Sequence, residues 1–126
     1  MKTFKWIMIF DFCPLKVNLC TRIHHFCSKL LRSYLSEQGW HIAEESALRD
    51  GRFLYTVMDV RYDPAAPRLT LGQTYFSPAM LVNPNQETKE YYERVLFSLN
   101  RAITNGGEHV DPTLSQALEE LRGVSW

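Results

Sequence analysis

Apolar residues recur with two different periods along the chain, and the change of period predicts where strands and helices lie. Residues 3–12 place large apolar side chains at every second position, with further apolar residues between them, which predicts an internal strand. Over residues 17–38 the spacing changes to three and four, which predicts an amphipathic helix that Gly39 ends. The apolar stripe of this helix comprises Cys20, Ile23, Cys27, Leu30, Leu31, Tyr34 and Leu35.

The middle of the chain is rich in β-branched and aromatic residues and predicts three more strands. The Asp50-Gly51 pair is typical of a hairpin turn between the first two of them. Two prolines within residues 63–67 interrupt backbone pairing, so we expect a loop before the third strand. The three predicted strands are residues 40–46, 52–62 and 68–76.

Two more amphipathic helices are predicted in the last third of the chain. One begins at Asn83-Pro84 and the other at Asp111-Pro112, with Asn or Asp as the cap and proline as the first helical residue. The element order is therefore β-α-β-β-β-α-α. This order predicts a single α+β domain over residues 1–126, a two-layer sandwich in which amphipathic helices pack on a mainly antiparallel sheet of about four strands.

Composition narrows the class of protein. The 126 residues are 45% hydrophobic and 22% charged, which is ordinary for a globular chain and excludes a disordered one. Fourteen Lys and Arg balance fourteen Asp and Glu, which argues against a strongly basic nucleic-acid binder. The five apolar residues 6–10 are too few for a signal peptide or a membrane span. We therefore expect a cytoplasmic protein with no membrane partner.

Charge is segregated along the chain although it sums to zero. Residues 1–36 hold six lysines and arginines against Asp11 alone, whereas residues 37–126 hold eight basic and thirteen acidic residues. This pattern indicates a basic face on the first helix, which could contact an acidic protein or a phosphate backbone. The interpretation we favour is a solvated face that pairs loosely with acids elsewhere in the fold. The residues of this basic face are Arg22, His25, Lys29 and Arg32.

Cysteine and histidine form one candidate metal constellation. An odd number of cysteines, Cys13, Cys20 and Cys27, favours free thiols. On a helix, Cys20, His24 and Cys27 would share one side and could converge on a metal. Because the close cysteine pairs typical of zinc sites do not occur, the interpretation we favour is that Cys20 and Cys27 are small core residues. We therefore predict no metal and no cofactor.

Sequence motifs of enzymes are missing. The six glycines form no G-x-G-x-x-G pattern and no phosphate-binding loop, and neither G-x-S-x-G nor H-E-x-x-H occurs. The sequence therefore favours a protein that is not an enzyme. A small enzyme or ligand-binding domain is the third-ranked hypothesis.

The strand over residues 53–62 is apolar on both faces, and one layer of helices covers a single face. If the other face stays open, it forms a patch of the kind that binds proteins. We therefore predict a non-enzymatic protein-binding module: an adaptor, inhibitor or regulator of another protein, or a homodimer that self-associates through its sheet. The alternative is a nucleic-acid-binding protein that uses the basic first helix. The predicted partner-binding residues are Phe53, Tyr55, Val57, Asp59 and Arg61.

Overall fold

The computed structural model describes residues 3–8, 18–51 and 53–124. These residues form three strands and four α-helices, with short 3-10 turns at Pro78–Leu81 and Gly107–His109. The strands are β1 (Thr3–Met8), β2 (Trp40–Asp50) and β3 (Phe53–Tyr62). The helices are α1 (Asn18–Glu37), α2 (Leu71–Tyr75), α3 (Gln86–Gly106) and α4 (Pro112–Arg122). The α+β class predicted from the sequence is confirmed, whereas the extension of the sheet over residues 68–76 is not.

The described sheet has the strand order β1-β3-β2, and β3 is antiparallel to both neighbours. β1 and β2 therefore run parallel to each other with β3 between them, and α1 lies between them in the chain. β2 and β3 form a hairpin around Gly51, whose φ of +63° suits glycine. The Asp50-Gly51 turn signal is confirmed by this hairpin.

The predicted strand over residues 68–76 is wrong, because this segment contains α2. Thr70 caps the helix by accepting a hydrogen bond from the backbone N–H of Gln73, and the Gln73 side chain accepts from the Thr70 backbone. This reciprocal capping box stabilises a helical start and outweighs the alternation of apolar residues. Gly72 allows a close approach by α4, since a Cβ there would stand 2.6 Å from the Glu120 carboxylate.

The helices cover one face of the sheet. Leu54, Thr56, Met58 and Val60 alternate along β3 and are fully buried. Each apolar side chain buried in this way contributes about 1.5–3 kcal/mol relative to an exposed one. α1 packs beside Met58 and Val60, and α3 and α4 pack around Leu54. The two core clusters contain Leu35, Ile42, Met58 and Val60, and separately Ala47, Leu54, Tyr75, Phe76, Met80, Tyr91, Val95, Leu99, Ala117, Leu118 and Leu121.

A β-bulge in β2 decides which of its side chains enter this core. Ile42 pairs with Val60, but the next paired residue is Glu44, so Ala43 is the extra residue. Strict alternation from Ile42 would direct Glu44 and Ser46 inward. The bulge shifts the alternation by one residue, and Glu45 and Ala47 are buried instead.

The C-terminal helices begin at capped ends. Asn85 accepts a hydrogen bond of 2.7 Å from the backbone N–H of Thr88, so α3 begins after Asn85 and not after Asn83 as predicted. Asp111 caps α4 with Pro112 in the first turn, as predicted.

In the part of the chain that the structure describes, no helix is long and apolar enough to cross a membrane. One domain over residues 1–126 stays a prediction.

Candidate functional site

A buried ion pair joins α1 to the sheet. The guanidinium of Arg32 donates two hydrogen bonds to the Glu45 carboxylate, from Nε at 3.2 Å and from Nη2 at 2.6 Å. Both side chains have no exposed surface. This two-point contact matches the planar guanidinium to the planar carboxylate, which is the strongest form of such a pair. It requires Glu45 to point inward, and the bulge at Ala43 provides that direction.

Other elements complete the hydrogen bonds of this pair. Nη1 of Arg32 donates to the backbone carbonyls of Thr74, at 3.2 Å, and Tyr75, at 3.0 Å. Nη2 is 2.9 Å from the Tyr91 hydroxyl on α3. We call these residues, together with the Thr56 and Ser77 hydroxyls described next, the Arg32 network. It links α1, the sheet, α2, the turn after α2 and α3. The Glu45 carboxylate also accepts from the hydroxyls of Thr56 and Ser77.

The Arg32 network is built to hold elements together rather than to move protons. Glu45 accepts from Arg32, Thr56 and Ser77 at once, so little of its hydrogen-bonding capacity remains for a substrate. Because the Glu45 carboxylate is buried, a substrate cannot reach it. The network therefore explains how α2 and α3 are positioned and supplies no general base.

The predicted basic face loses one of its residues to this network. Arg32 is fully buried, so its assignment to a surface face is wrong. The reason is that the inward-facing Glu45 draws the guanidinium into the core. Lys29 is half-buried, and its ammonium lies 5.8 Å from the centre of the Tyr75 ring. The side chains of Arg22 and His25 lie outside the described residues.

The predicted partner surface lies partly on the face of β3 that the helices leave uncovered. Arg61 is exposed there, and Val57 and Asp59 are half-buried. The side chains of Phe53 and Tyr55 are outside the described residues, although the register places Tyr55 opposite Leu48. The partner-binding role of these residues therefore stays a prediction.

Two open cavities flank the bulge of β2. One, of about 420 Å³, is lined in part by Glu44, Asp59 and Asn83, and Oδ1 of Asp59 is buried without a hydrogen-bond partner among the described residues. The second, of about 370 Å³, is lined by His41, Arg68 and mainly apolar neighbours. His41 and Asp59 therefore line different cavities.

The described side chains show no cluster of three or more His, Cys, Asp or Glu residues that could bind a metal. Cys20, His24 and Cys27 are on α1, but their side chains are outside the described set, and Cys13 lies in an undescribed segment. The predicted metal constellation therefore stays a prediction.

Burial raises the pKa of Tyr75, and the nearby Asp111 raises it further. Burial also raises the pKa of Tyr92, so both phenols stay protonated at neutral pH.

The outer face of α3 combines an exposed aromatic ring with polar and basic side chains. Phe97 is 66% exposed, although it lies in the middle of a helix whose opposite face is buried. Asn100 and Arg101 follow it within one turn, and Thr104 and Asn105 within two. Together these five residues line a shallow depression of about 390 Å³. We call it the Phe97 surface.

A half-exposed ion cluster lies one to two turns before Phe97. The Glu90 carboxylate pairs with Arg49 of β2, and Arg94 is 2.9 Å from the same oxygen. Because β1 and β2 are parallel, Arg49 lies at the edge of the sheet where their carboxyl ends meet. The ion pair with Arg49 therefore places the first half of α3 next to this edge of the sheet.

Sequence reasoning missed both the Arg32 network and the Phe97 surface. Glu45 follows Glu44, and such a pair in a sequence is more typical of a solvated surface. For Phe97 a signal did exist: it falls between the buried positions of the α3 stripe, so the helical period places it outside.

Two solved structures share part of this fold. One is a protein of the NADB-Rossmann superfamily from Streptococcus agalactiae, with a TM-score of 0.57 and 21% sequence identity. The other is an uncharacterized protein from Listeria monocytogenes serotype 4b, with a TM-score of 0.51 and 18% identity. Each match covers 75% of this chain but 42% of the solved chain. This chain therefore spans less than half the length of those proteins. No curated protein matches the sequence.

A sequence model of one family matches residues 25–123, and its description is TrmK: tRNA (adenine(22)-N(1))-methyltransferase. This match overturns three predictions: the non-enzymatic adaptor, the regulatory protein-binding module and the assignment as a non-enzyme. Missing motifs misled the sequence reasoning, because the family model matches a stretch that contains none of the motifs sought. Nucleic-acid binding, the alternative, is the better interpretation. Since the match covers most of the chain, the protein belongs to the TrmK family, tRNA (adenine(22)-N(1))-methyltransferases.

Proposed function

We propose that this chain is part of an enzyme that methylates N1 of an adenine in tRNA, and that its own contribution is to bind the tRNA. The observation that carries the proposal is the family match over residues 25–123. A tRNA partner also supports the cytoplasmic location expected from the sequence. The solved relatives are more than twice as long as the matched part, so activity of the whole protein belongs to the proposal.

The geometry of α3 supports a role in tRNA binding. Arg49, Arg94 and Arg101 lie along or beside this helix, and Phe97 lies among them. Cationic side chains bind RNA phosphates, and aromatic rings stack on unpaired bases. Arg49 and Arg94 are held in place by Glu90, whereas no carboxylate within the described ranges pairs with Arg101. The helix thus presents both kinds of contact on one side.

The methyl donor is a separate requirement, and we tested whether the described residues fit it. Methylation of a nucleic-acid base uses a donor such as S-adenosylmethionine, and Rossmann-like folds hold nucleotide ligands at a glycine-rich turn between a strand and a helix. In the described ranges, glycines with positive φ are Gly39, Gly51 and Gly107, each at an isolated turn. These residues do not build a donor site. The role proposed for this chain is therefore tRNA binding and not methyl transfer.

Binding to an unmodified tRNA transcript with adenine at position 22 tests the proposal. We expect binding that weakens steeply between 50 and 200 mM salt, because phosphate contacts release counterions, by about tenfold per two or three contacts. A duplex DNA of matched length is the control and should bind more weakly. Equal affinity for both, or no retention of tRNA at low salt, would reject tRNA binding as the role of this chain.

Incubation of the same chain with tRNA and S-adenosylmethionine tests the second half of the proposal. We expect no 1-methyladenosine by mass spectrometry, because the described residues hold no donor site. Detection of methylated tRNA would show that the chain binds the donor, and the assignment to tRNA binding alone would then be wrong.

A further inference from the structure

We propose that the Phe97 surface of α3 binds an unpaired nucleobase of RNA, with the Phe97 ring stacking on the base and the Arg101 guanidinium contacting the adjacent phosphate. The inference rests on the proposed function and names the surface that performs it. It concerns residues 97–105, which lie beyond the Arg49–Glu90–Arg94 cluster along the same helix.

Exposure of Phe97 is the first observation. The ring is 66% exposed on a helix whose inward residues Tyr91, Val95 and Leu99 are at most 3% exposed. Leaving a large apolar side chain in water forgoes the stabilisation that burial gives. The neighbouring positions do not extend an apolar patch, since Asn100, Arg101 and Thr104 surround the ring. A lone aromatic among polar groups is less suited to a protein interface, which is apolar at its core, than to a flat base with a polar edge.

Charge is the second observation. No acidic residue occurs between Glu93 and Glu108, so the segment that carries Phe97 and Arg101 holds no negative side chain of its own. Glu93, one turn before Phe97, is the nearest acid along the same helix. Arg122 of α4 donates to Asn100 at 3.3 Å and adds a second cation beside the depression. The surface is therefore positive where it is aromatic.

Shape is the third observation. Phe97 and Arg101 are four residues apart, so their side chains are neighbours on the helix surface. They line one side of the 390 Å³ depression with Asn100, Thr104 and Asn105. The amides of Asn100 and Asn105 offer both donors and acceptors, which suits the hydrogen-bonding edge of a base. Stacking, phosphate contact and edge contact are thus available within two turns of one helix.

The test compares three RNA probes by fluorescence anisotropy: the tRNA transcript, an unpaired 12-mer of adenosine and a 12-base-pair RNA duplex. For Phe97→Ala we expect about tenfold weaker binding of the unpaired 12-mer, which corresponds to the loss of one stacking contact. Binding of the duplex should not change, because its bases are already stacked. Phe97→Trp should keep the affinity of the wild type.

Arg101→Gln should weaken the binding of all three probes. It should also reduce the steepness of log affinity against log salt by about 1, since one phosphate contact is lost. The matched control for the ring is Tyr34→Ala, because Tyr34 is an exposed aromatic, 59% exposed, on the other long helix. The control should bind as the wild type does. If Tyr34→Ala weakens binding as much as Phe97→Ala, RNA contact is not specific to α3 and the inference is wrong.

Phe97→Leu keeps an apolar side chain and removes the aromatic face, so it replaces Phe97→Ala as the test if that variant fails to fold. We expect Phe97→Leu to bind the unpaired 12-mer more weakly as well. Wild-type protein that binds tRNA while the Phe97 and Arg101 variants bind equally well would overturn this inference and leave the proposed function intact. Wild-type protein that binds no RNA would overturn both. A dimer in sedimentation that Phe97→Ala converts to monomer, with RNA binding unchanged, would assign Phe97 to a contact between copies and also overturn the inference.

Discussion

Two ion-pair clusters in this protein have the same chemistry and opposite surroundings. Arg32 and Glu45 have no exposed surface, whereas Arg49, Glu90 and Arg94 are 34–38% exposed. The buried pair is saturated by hydrogen bonds from four elements. The exposed cluster consists of one carboxylate between two arginines, with water on its outer side.

The difference shows what each arrangement is worth to the fold. Burying two charges costs several kcal/mol, so the Arg32 network is stable because its geometry satisfies every group that it removes from water. The exposed cluster incurs little desolvation and gains little Coulomb energy, since water and salt screen it. Removing one partner should therefore have unequal consequences in the two places, which variants of each cluster can test.

Arg32→Ala should give the largest effect. It leaves the Glu45 carboxylate buried without a cation, and it frees the carbonyls of Thr74 and Tyr75. We expect the free energy of unfolding to fall by about 3–5 kcal/mol, measured by urea denaturation. A change below about 1 kcal/mol would mean that water reaches Glu45 and that the network is not closed.

The double variant Arg32→Met with Glu45→Met is the control for this prediction. It removes both charges and keeps apolar volume, so it should be less destabilising than Arg32→Ala alone. Additive losses from the two sites would contradict the interpretation that an unpaired buried charge causes the damage.

Tyr91→Phe should give the second effect, because it deletes one hydroxyl from the Arg32 network and nothing else. That hydroxyl lies 2.9 Å from the buried guanidinium. Losing a hydrogen bond to a charged group costs about 1.5–3 kcal/mol. Tyr92→Phe is the matched control, since its hydroxyl donates to a neutral carbonyl, that of Leu121, from a half-buried position. If the two variants lose equal stability, burial and charge do not distinguish these hydroxyls.

The sequence predicts the elements of this fold better than it predicts the network that joins them. β3 follows from its β-branched and aromatic residues after the Asp50-Gly51 turn signal, and α3 and α4 follow from amphipathic stripes behind capping residues. α2 is not predicted, because five residues give no helical period and Leu69, Leu71 and Tyr75 imitate strand alternation. Whether Glu44 or Glu45 points inward depends on one bulged residue, which has no clear signature in the sequence.

The residues of the candidate site are harder to predict from the sequence than the helices and strands, for a related reason. The family is named for the activity of a whole protein, and this chain spans 42% of the length of the solved relatives. Motif searches look for residues that touch a cofactor. The Phe97 surface consists of ordinary helical positions, which the helical period places outside but which match no motif.

Glu90→Gln should have a small effect, in contrast to Arg32→Ala. Arg49 and Arg94 lose a charged partner but remain hydrated, so the free energy of unfolding should fall by less than about 1 kcal/mol. The loss should vanish at about 1 M salt, where screening extends over about 3 Å. A loss that persists at high salt would show that this cluster is shielded from water and that the comparison with the buried pair is wrong.

Asp111 extends the comparison to a fully exposed carboxylate, whose main contact is a hydrogen bond from one backbone N–H. A hydrogen bond from the Thr113 backbone, at 3.0 Å, lowers the pKa of Asp111 below its ordinary value of 3.8; the Thr113 side chain and Lys29 lower it further. A carboxyl whose pKa is lowered on folding stabilises the fold above the unfolded pKa, and this contribution is lost as the pH falls through the folded pKa.

Asp111→Asn keeps an N-cap acceptor at every pH and removes the titration. Urea midpoints measured from about pH 6 down to about pH 2.5 should therefore fall more steeply for the wild type than for Asp111→Asn, with the two curves diverging below about pH 4. Parallel curves would mean that the cap makes the same contribution in both protonation states, and that the contact with Thr113 does not depend on the charge of Asp111.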